Sequence, residues 1–306
     1  MTARKRLDLR AELLARTRAF FASRGYLEVE TPTLVPCPGL DVHLDAFETN
    51  APGRARWLVT SPEYQMKRLL AGGHARIYQI GRAYRRGEVG ARHNPEFTIL
   101  ELYRAHAGLD AILSDTEQLV AAVTGGQVEI EGRSVSTRPP FRRVTLAEAY
   151  LQHAGVPEAE TLRLAAHDED AFYRALVDRV EPGLAALDHA VFVTDYPATQ
   201  ASLARKKPGD PRFAERFELY VAGVEISNGF GELTDAVEQR ARFVADQEER
   251  ARRGLPVYPI DEAFLAALEA GMPDSAGNAI GFDRLVALAA GTRDIGAVMA
   301  FTDGEL

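Results

Sequence analysis

The stretch RHNPEFTILELYR, Arg92 to Arg104, decides how this chain is read. From Phe97 onward its residues alternate as in a β-strand. Phe97, Ile99, Glu101 and Tyr103 share one face, and Thr98, Leu100, Leu102 and Arg104 share the other. An acid between apolar strand neighbours needs a reason, and an edge strand with one solvated face is the plain one. The preceding RAYRRGEVGA, Arg82 to Ala91, supplies another. A strand, a basic loop and a return strand opening on a flat aromatic make a hairpin suited to hold a polyphosphate and stack a base.

Working outward, Leu9, Leu13, Leu14, Thr17, Phe20 and Phe21 recur at helical spacing after an Asp8 cap, and Gly25 supplies the stop. The strand YLEVET follows, closed by Pro32. A second helix is expected from Ser61 or Pro62 to Leu70, with Ser as cap, Glu63 at the positive helix end and Gly72-Gly73 as terminator. Between about 110 and 190 the pattern predicts mostly helices, with a strand pair around Val128 to Val135. Asp235 and Glu238 form a candidate capping box for a helix reaching Arg253. No repeat or low-complexity linker divides the chain, so residues 1–306 are expected to form a single α+β catalytic domain with a mostly helical insertion.

The segment FELYVAGVEISNGFGELTDA, Phe217 to Ala236, yields to geometry. Ala222-Gly223 suits a two-residue turn, which sets Val221 opposite Val224 and Tyr220 opposite Glu225. Glu218 and Glu225 then become diagonal neighbours about 7–8 Å apart. They are either solvated acids on a polar face or a pair that shares a cation, and magnesium favours such oxygen ligands beside ATP phosphates.

Composition is that of an ordinary soluble protein, 46% hydrophobic and 26% charged over 306 residues. A net charge of -8 gives no overall electrostatic reason to bind nucleic acid. The single cysteine, Cys37, suits a reducing compartment, and no signal peptide or bilayer-spanning run is present, so a cytoplasmic protein without membrane attachment is expected.

Arg82 to Thr98 resembles motif 2 of the class II aminoacyl-tRNA synthetases, in their lysyl branch. RAFFASRGYLEVETP, Arg18 to Pro32, resembles the dimer-forming motif 1, and AIGFDRLVAL, Ala279 to Leu288, resembles motif 3. The resemblance implies an antiparallel sheet flanked by helices, a homodimer, and ATP with Mg²⁺ as cofactors. Only a short basic stub, Arg4 to Arg6, precedes the first helix, which leaves no room for an anticodon-binding barrel of on the order of a hundred residues. Anticodon-dependent tRNA binding is therefore not expected. The chain is similar to the stand-alone members of this branch, the ligases that join (R)-β-lysine to a lysine of translation elongation factor P. Two other readings remain: a ligase for α-lysine, or a non-catalytic paralogue that binds lysine or ATP.

By resemblance, Arg85 and Arg284 are the catalytic phosphate contacts, Phe97 stacks on adenine, and His93 shapes the turn from which Asn94 meets ATP. Arg86, Gly87, Glu88, Ile226 and Gly281 complete the ATP site, with Glu218 and Glu225 on the metal. For the lysine-like substrate, Glu232 and Tyr103 match the partners of the distal ammonium, and Ser61 and Glu63 those near the backbone amino group. Glu101, Asn228 and Ala279 belong to the same pocket. Two departures stand out. Motif 2 normally reads Arg-Asn-Glu, whereas here Arg85-Arg86-Gly87 is followed by Glu88; and Ala279 replaces the first glycine of motif 3, as it does in the β-lysine ligases.

Overall fold

The computed structural model describes residues 3–49 and 53–306. Helix α1 (Ala3–Ser23) begins ahead of the expected Asp8 cap. Arg and Lys are good helix formers, and Arg4 pairs with Asp8 one turn on at 3.9 Å, so the basic stub joins the helix. Gly25 ends this segment with φ +69°. Strand β1 is only Leu27–Glu28. Val29 still donates to the Tyr78 carbonyl, but the Thr31 N–H turns to the Gln79 side chain, so the expected strand leaves its ladder before Pro32.

Three short strands, β2 (Leu34–Val35), β3 (Glu48–Thr49) and β4 (Arg56–Leu58), form a small sheet ahead of helix α2 (Glu63–Ala71). Pro62 is the N-cap residue of α2, so the helix starts just after the expected Ser61 or Pro62. Strands β5 (Arg76–Tyr84) and β6 (Glu96–Ala105) form the long hairpin foreseen around the basic loop. Helix α3 (Leu109–Thr124) and the hairpin β7 (Gln127–Ile130) and β8 (Arg133–Ser136) follow. Strand β9 (Arg142–Thr145) then leads to α4 (Leu146–Ala154), α5 (Glu158–His167), α6 (Glu169–Ala175) and, after one π-helical turn, α7 (Glu181–Ala185). The helical insertion is thus α4 to α7, because α3 and the small hairpin pack into the main core. Strands β10 (Val191–Pro197), β11 (Phe213–Val221) and β12 (Val224–Gly231) lead to α8 (Ala236–Arg252) and α9 (Glu262–Glu269), and the last pair is β13 (Ser275–Gly281) with α10 (Phe282–Ala289). Asp235 caps α8 through the Val237 and Glu238 N–H groups. The reciprocal arm of the expected capping box is missing, since Arg242 and Lys206 hold Glu238.

The main sheet has eight strands in the order β1-β5-β6-β13-β12-β11-β10-β9. It is antiparallel except at its two edges, where β1 runs parallel to β5 and β9 to β10. Helices α1, α3 and α10 cover one face, to which β6 contributes Leu100 and Leu102 and β12 contributes Ile226. Phe21 stacks on Tyr78 in this core, with ring centroids 4.1 Å apart. On the opposite face, α2, α8 and α9 pack at one end and α4 to α7 at the other. The sheet is left open between them.

Candidate active site

Strand pairing aligns side chains from neighbouring strands into rungs across that open face. One rung reads Gln79, Glu101, Ala279, Asn228 and Glu218 from β5 to β11. The next reads Ile77, Tyr103, Gly277, Phe230 and Arg216. Strand β6 is therefore interior, and Glu101 is 0% exposed, which removes the solvated-edge explanation of its acid.

The turn at Ala222-Gly223 forms as expected, with φ of +52° and +74° and with Tyr220 opposite Glu225. The register then slips: Leu219 pairs with Ser227, which leaves Ile226 as the extra residue of a β-bulge. Strict alternation would send Glu225 and Asn228 to opposite faces. The bulge brings both to the cleft, together with Ser61, Glu63, Arg85, Glu88, His93, Asn94, Phe97, Ile226, Ala279, Gly281 and Arg284.

At the end of the cleft where phosphate contacts are expected, Arg284 projects from the first turn of α10. Its Nη1 donates to the Glu225 carbonyl at 2.9 Å and lies 3.5 Å from the Glu225 carboxylate. Its Nη2 donates to His93 Nε2 at 2.9 Å. Burial, then the Arg284 charge, lowers the His93 pKa, which suits this imidazole as a neutral acceptor. His93 and Gly90 exchange backbone hydrogen bonds and close the turn that carries Arg92. Arg85 lies over the Phe97 ring, 5.0 Å from its centroid, and 3.7 Å from Glu88. Glu88 thus stands beside Arg85, while Gly87 takes the left-handed turn position with φ +85°. Arg86 turns away to Asp45 at 3.3 Å. Both ends of the Asn94 amide are engaged within the chain, by the Glu96 carbonyl and the Asp303 N–H. At Gly281 a methyl would press first on the Arg284 side chain, at 3.3 Å, so this glycine gives the arginine room.

The Glu225 carboxylate is 38% exposed at the cleft, yet burial followed by the Glu218 charge raises its pKa to about 6. Glu218 differs. It is 6% exposed, and its two oxygens accept from Arg216 and from the Tyr220 hydroxyl, each at 2.7 Å. A magnesium ion in the cleft would meet Glu225 directly, whereas Glu218 is buried, does not line the cleft and already accepts a hydrogen bond at each oxygen. No group of three or more acidic, His or Cys side chains able to hold a metal occurs among the described residues. Any cation here would rest largely on the oxygens of a bound polyphosphate.

The predicted amino-acid residues also converge. Ser61 donates to one Glu101 oxygen at 2.5 Å, and the Tyr103 hydroxyl donates to the other at 2.8 Å. Burial, then the neighbouring Glu63, pushes Glu101 up to about 7. Glu232 is buried against the same group, and burial raises it to about 8 against the pull of Lys67. Glu101, Tyr103 and Glu232 lie behind the cleft wall that Ser61, Glu63 and Ala279 form. Gly277 is required there, because a Cβ would collide with the Tyr103 ring and the Glu232 carboxylate.

Five contributors escaped the sequence reading: Lys67, Arg92, Arg216, Gly277 and Asp283. Lys67 was within reach, since it lies one turn after Glu63 on the same helix face. Arg216 was harder to find: its contact to Asn228 depends on the bulged register and that to the Tyr196 ring on the β10–β11 pairing, although Glu218 lies two residues on along its own strand. Phe20 and Phe21, on the helix that resembles the dimer-forming motif 1, are buried within the chain.

Known proteins carry the same pattern. Residues 1–304 match the family described as tRNA synthetases class II (D, K and N). The chain is 43% identical over 307 positions to the elongation factor P–(R)-β-lysine ligase of Klebsiella pneumoniae subsp. pneumoniae, a match covering 96% of this chain and 93% of that protein. It is 42% identical, with the same coverage, to the ligases of that name in Salmonella dublin and Salmonella paratyphi B. With a match over nearly its whole length, on a sheet that brings segments 82–98 and 279–288 to one cleft, this chain belongs to the class II tRNA synthetase family of the D, K and N type.

Proposed function

We propose that this protein is an ATP-dependent, AMP-forming ligase that activates (R)-β-lysine and transfers it to a lysine side chain of elongation factor P. The observation that carries this reading is Glu63 in the wall of a cleft lined by arginines, with Glu101 and Glu232 buried directly behind it. A confined acidic pocket selects a substrate with ammonium groups at both ends. Arginines beside it suit ATP, whose α-phosphate the substrate carboxylate must attack. The named relatives support the same substrate and acceptor.

In this mechanism Ser61 and Glu63 hold the near amino group, and Tyr103 and Glu232 receive the distal one. Arg85 screens the α-phosphate and Arg284 the departing pyrophosphate, with neutral His93 holding the Arg284 guanidinium in place. A Mg²⁺ ion held by Glu225 would neutralise phosphate charge. The acceptor amine then attacks the adenylate carbonyl, forms the amide and releases AMP. Ala279 lies between Glu101 and Asn228 in its rung, so its methyl faces the cleft and is placed to set how deep a substrate carboxylate sits. We place the protein in the cytoplasm, as a homodimer paired through the β1 edge.

The test is ATP–pyrophosphate exchange with (R)-β-lysine and with L-lysine, followed by mass analysis of elongation factor P for one added lysyl group. Exchange should need the amino acid and favour β-lysine. Ala279→Gly should shift the ratio of specificity constants toward α-lysine by about 10- to 200-fold at most. Exchange without transfer to the acceptor protein would instead support the α-lysine reading.

A further inference from the structure

The side chain that the mechanism leaves unused is Lys67. It is 0% exposed, and its ammonium lies 2.5 Å from Glu63 and 2.5 Å from Glu232. The contact with Glu63 is a hydrogen bond. The contact with Glu232 is an ion pair that meets only Oε2, so the buried Glu232 Oε1 has no partner among the described residues. A buried carboxylate with open lone pairs is costly unless a donor completes it. The charged and titratable groups that face this point are few. Helix α2 supplies Glu63 and Lys67, β6 supplies Glu101 and Tyr103, and the end of β12 supplies Glu232. Helix α9 contributes the Phe264 ring, 6.0 Å from the ammonium.

Three carboxylates against one ammonium leave two negative charges when all are ionised. A lysine-type substrate carries two ammonium groups. We propose that Lys67 is a positioning residue for amino-acid binding: its ammonium clamps Glu63 and Glu232 together and limits the pocket to the two unneutralised carboxylates that a diammonium substrate fills. Without Lys67 the three acids would repel, and Glu232, buried beside Glu101 and Glu63, would take up a proton and lose its grip on the distal ammonium. Direction agrees with this: burial works to lower the Lys67 pKa, and the Glu232 and Glu63 charges overcome it and raise it. The inference rests on the proposed lysine-type substrate but concerns a residue that need not touch it.

Lys67→Met keeps length and packing and removes the charge. In amino-acid-dependent pyrophosphate exchange, its KM for lysine or β-lysine should rise about tenfold or more near neutral pH, while the KM for ATP stays within about twofold. The pH at which that KM improves should also move upward, because the remaining acids ionise later. Lys67→Arg should keep the wild-type pH profile. A KM for the amino acid that does not change, or a rise shared equally with ATP and independent of pH, would overturn the proposal in favour of packing alone. If Lys67→Met does not fold, calorimetry of L-lysine binding to the wild-type protein in buffers of different ionisation heat decides. Net proton release between about pH 7 and 8 is expected, since acids partly protonated in the free pocket must ionise to take two ammonium groups. No release would overturn the proposal. Absence of exchange with any lysine isomer would sink the functional reading instead, and calorimetry would then judge Lys67 separately.

Discussion

At the scale of single residues, the two acids expected to share a cation have different surroundings. Glu225 opens on the cleft, whereas Glu218 is engaged by Arg216 and Tyr220. Glu225→Gln should therefore raise the Mg²⁺ concentration needed for half-maximal exchange, while Glu218→Gln should mainly lower the unfolding midpoint. A magnesium titration beside thermal melts separates the two, and identical behaviour of both variants would count against the distinction. Period-two reading foresaw that both acids share a face, but it could not foresee which one already had partners. A second expectation concerns pH. Glu101 and Glu232 are raised to about 7 and about 8, above their unfolded values. Between the ordinary carboxylate range and those values the folded protein binds more protons than the unfolded chain, so stability should fall as pH rises through that window. Lysine fills the pocket with positive charge, so it should raise the melting temperature more at about pH 8 than at about pH 6. Equal ligand-induced shifts at the two pH values would contradict this.

At the scale of elements, one carboxylate ties the motifs together. Asp283, at the start of α10, accepts from Arg10 of α1 and from the Thr98 N–H of β6, each at 2.6 Å. Arg284 follows Asp283 on α10, and Arg85 sits in the loop of the hairpin whose return strand is β6. Asp283→Ala would leave a buried N–H without an acceptor and Arg10 without its carboxylate, with only the Thr98 hydroxyl still accepting from it, at a cost of about 2–4 kcal/mol. Denaturant titration should find that loss, and exchange assays should find a raised KM for ATP; a variant of wild-type stability would show that the clamp is dispensable. The hairpins were legible because their turn residues and alternation are local, and Ala222-Gly223 even fixed the pairing of its first residues. The bulge at Ile226 was not legible, since period two carries no signal for an inserted residue. The start of α1 was misplaced because a capping residue was given more weight than a run of helix-forming basic side chains.

At the scale of the whole molecule, the edge strand β1 and its surroundings leave Leu27 51% and Leu34 47% exposed near Pro32. If that edge pairs two copies about a two-fold axis, sedimentation should report a dimer, and Leu34→Lys should shift it toward monomer. A wild-type monomer with full exchange activity would contradict the pairing. The order of motifs along the chain made the architecture readable, but nothing local in the sequence said that Gly277 and Tyr103 would touch. Their contact depends on β6 lying against β13, which joins residues 99–105 to 275–281 at the centre of the sheet. That seam has a consequence for synthesis. The strand that carries Phe97 and Glu101 leaves the ribosome long before its neighbour exists. At about 5–20 residues per second, its unpaired edge waits on the order of ten seconds for β13 to emerge. Through that interval the nascent chain presents an open, largely apolar strand to whatever surrounds it. The demand for protection during synthesis therefore falls on the stretch that later forms the floor of the cleft.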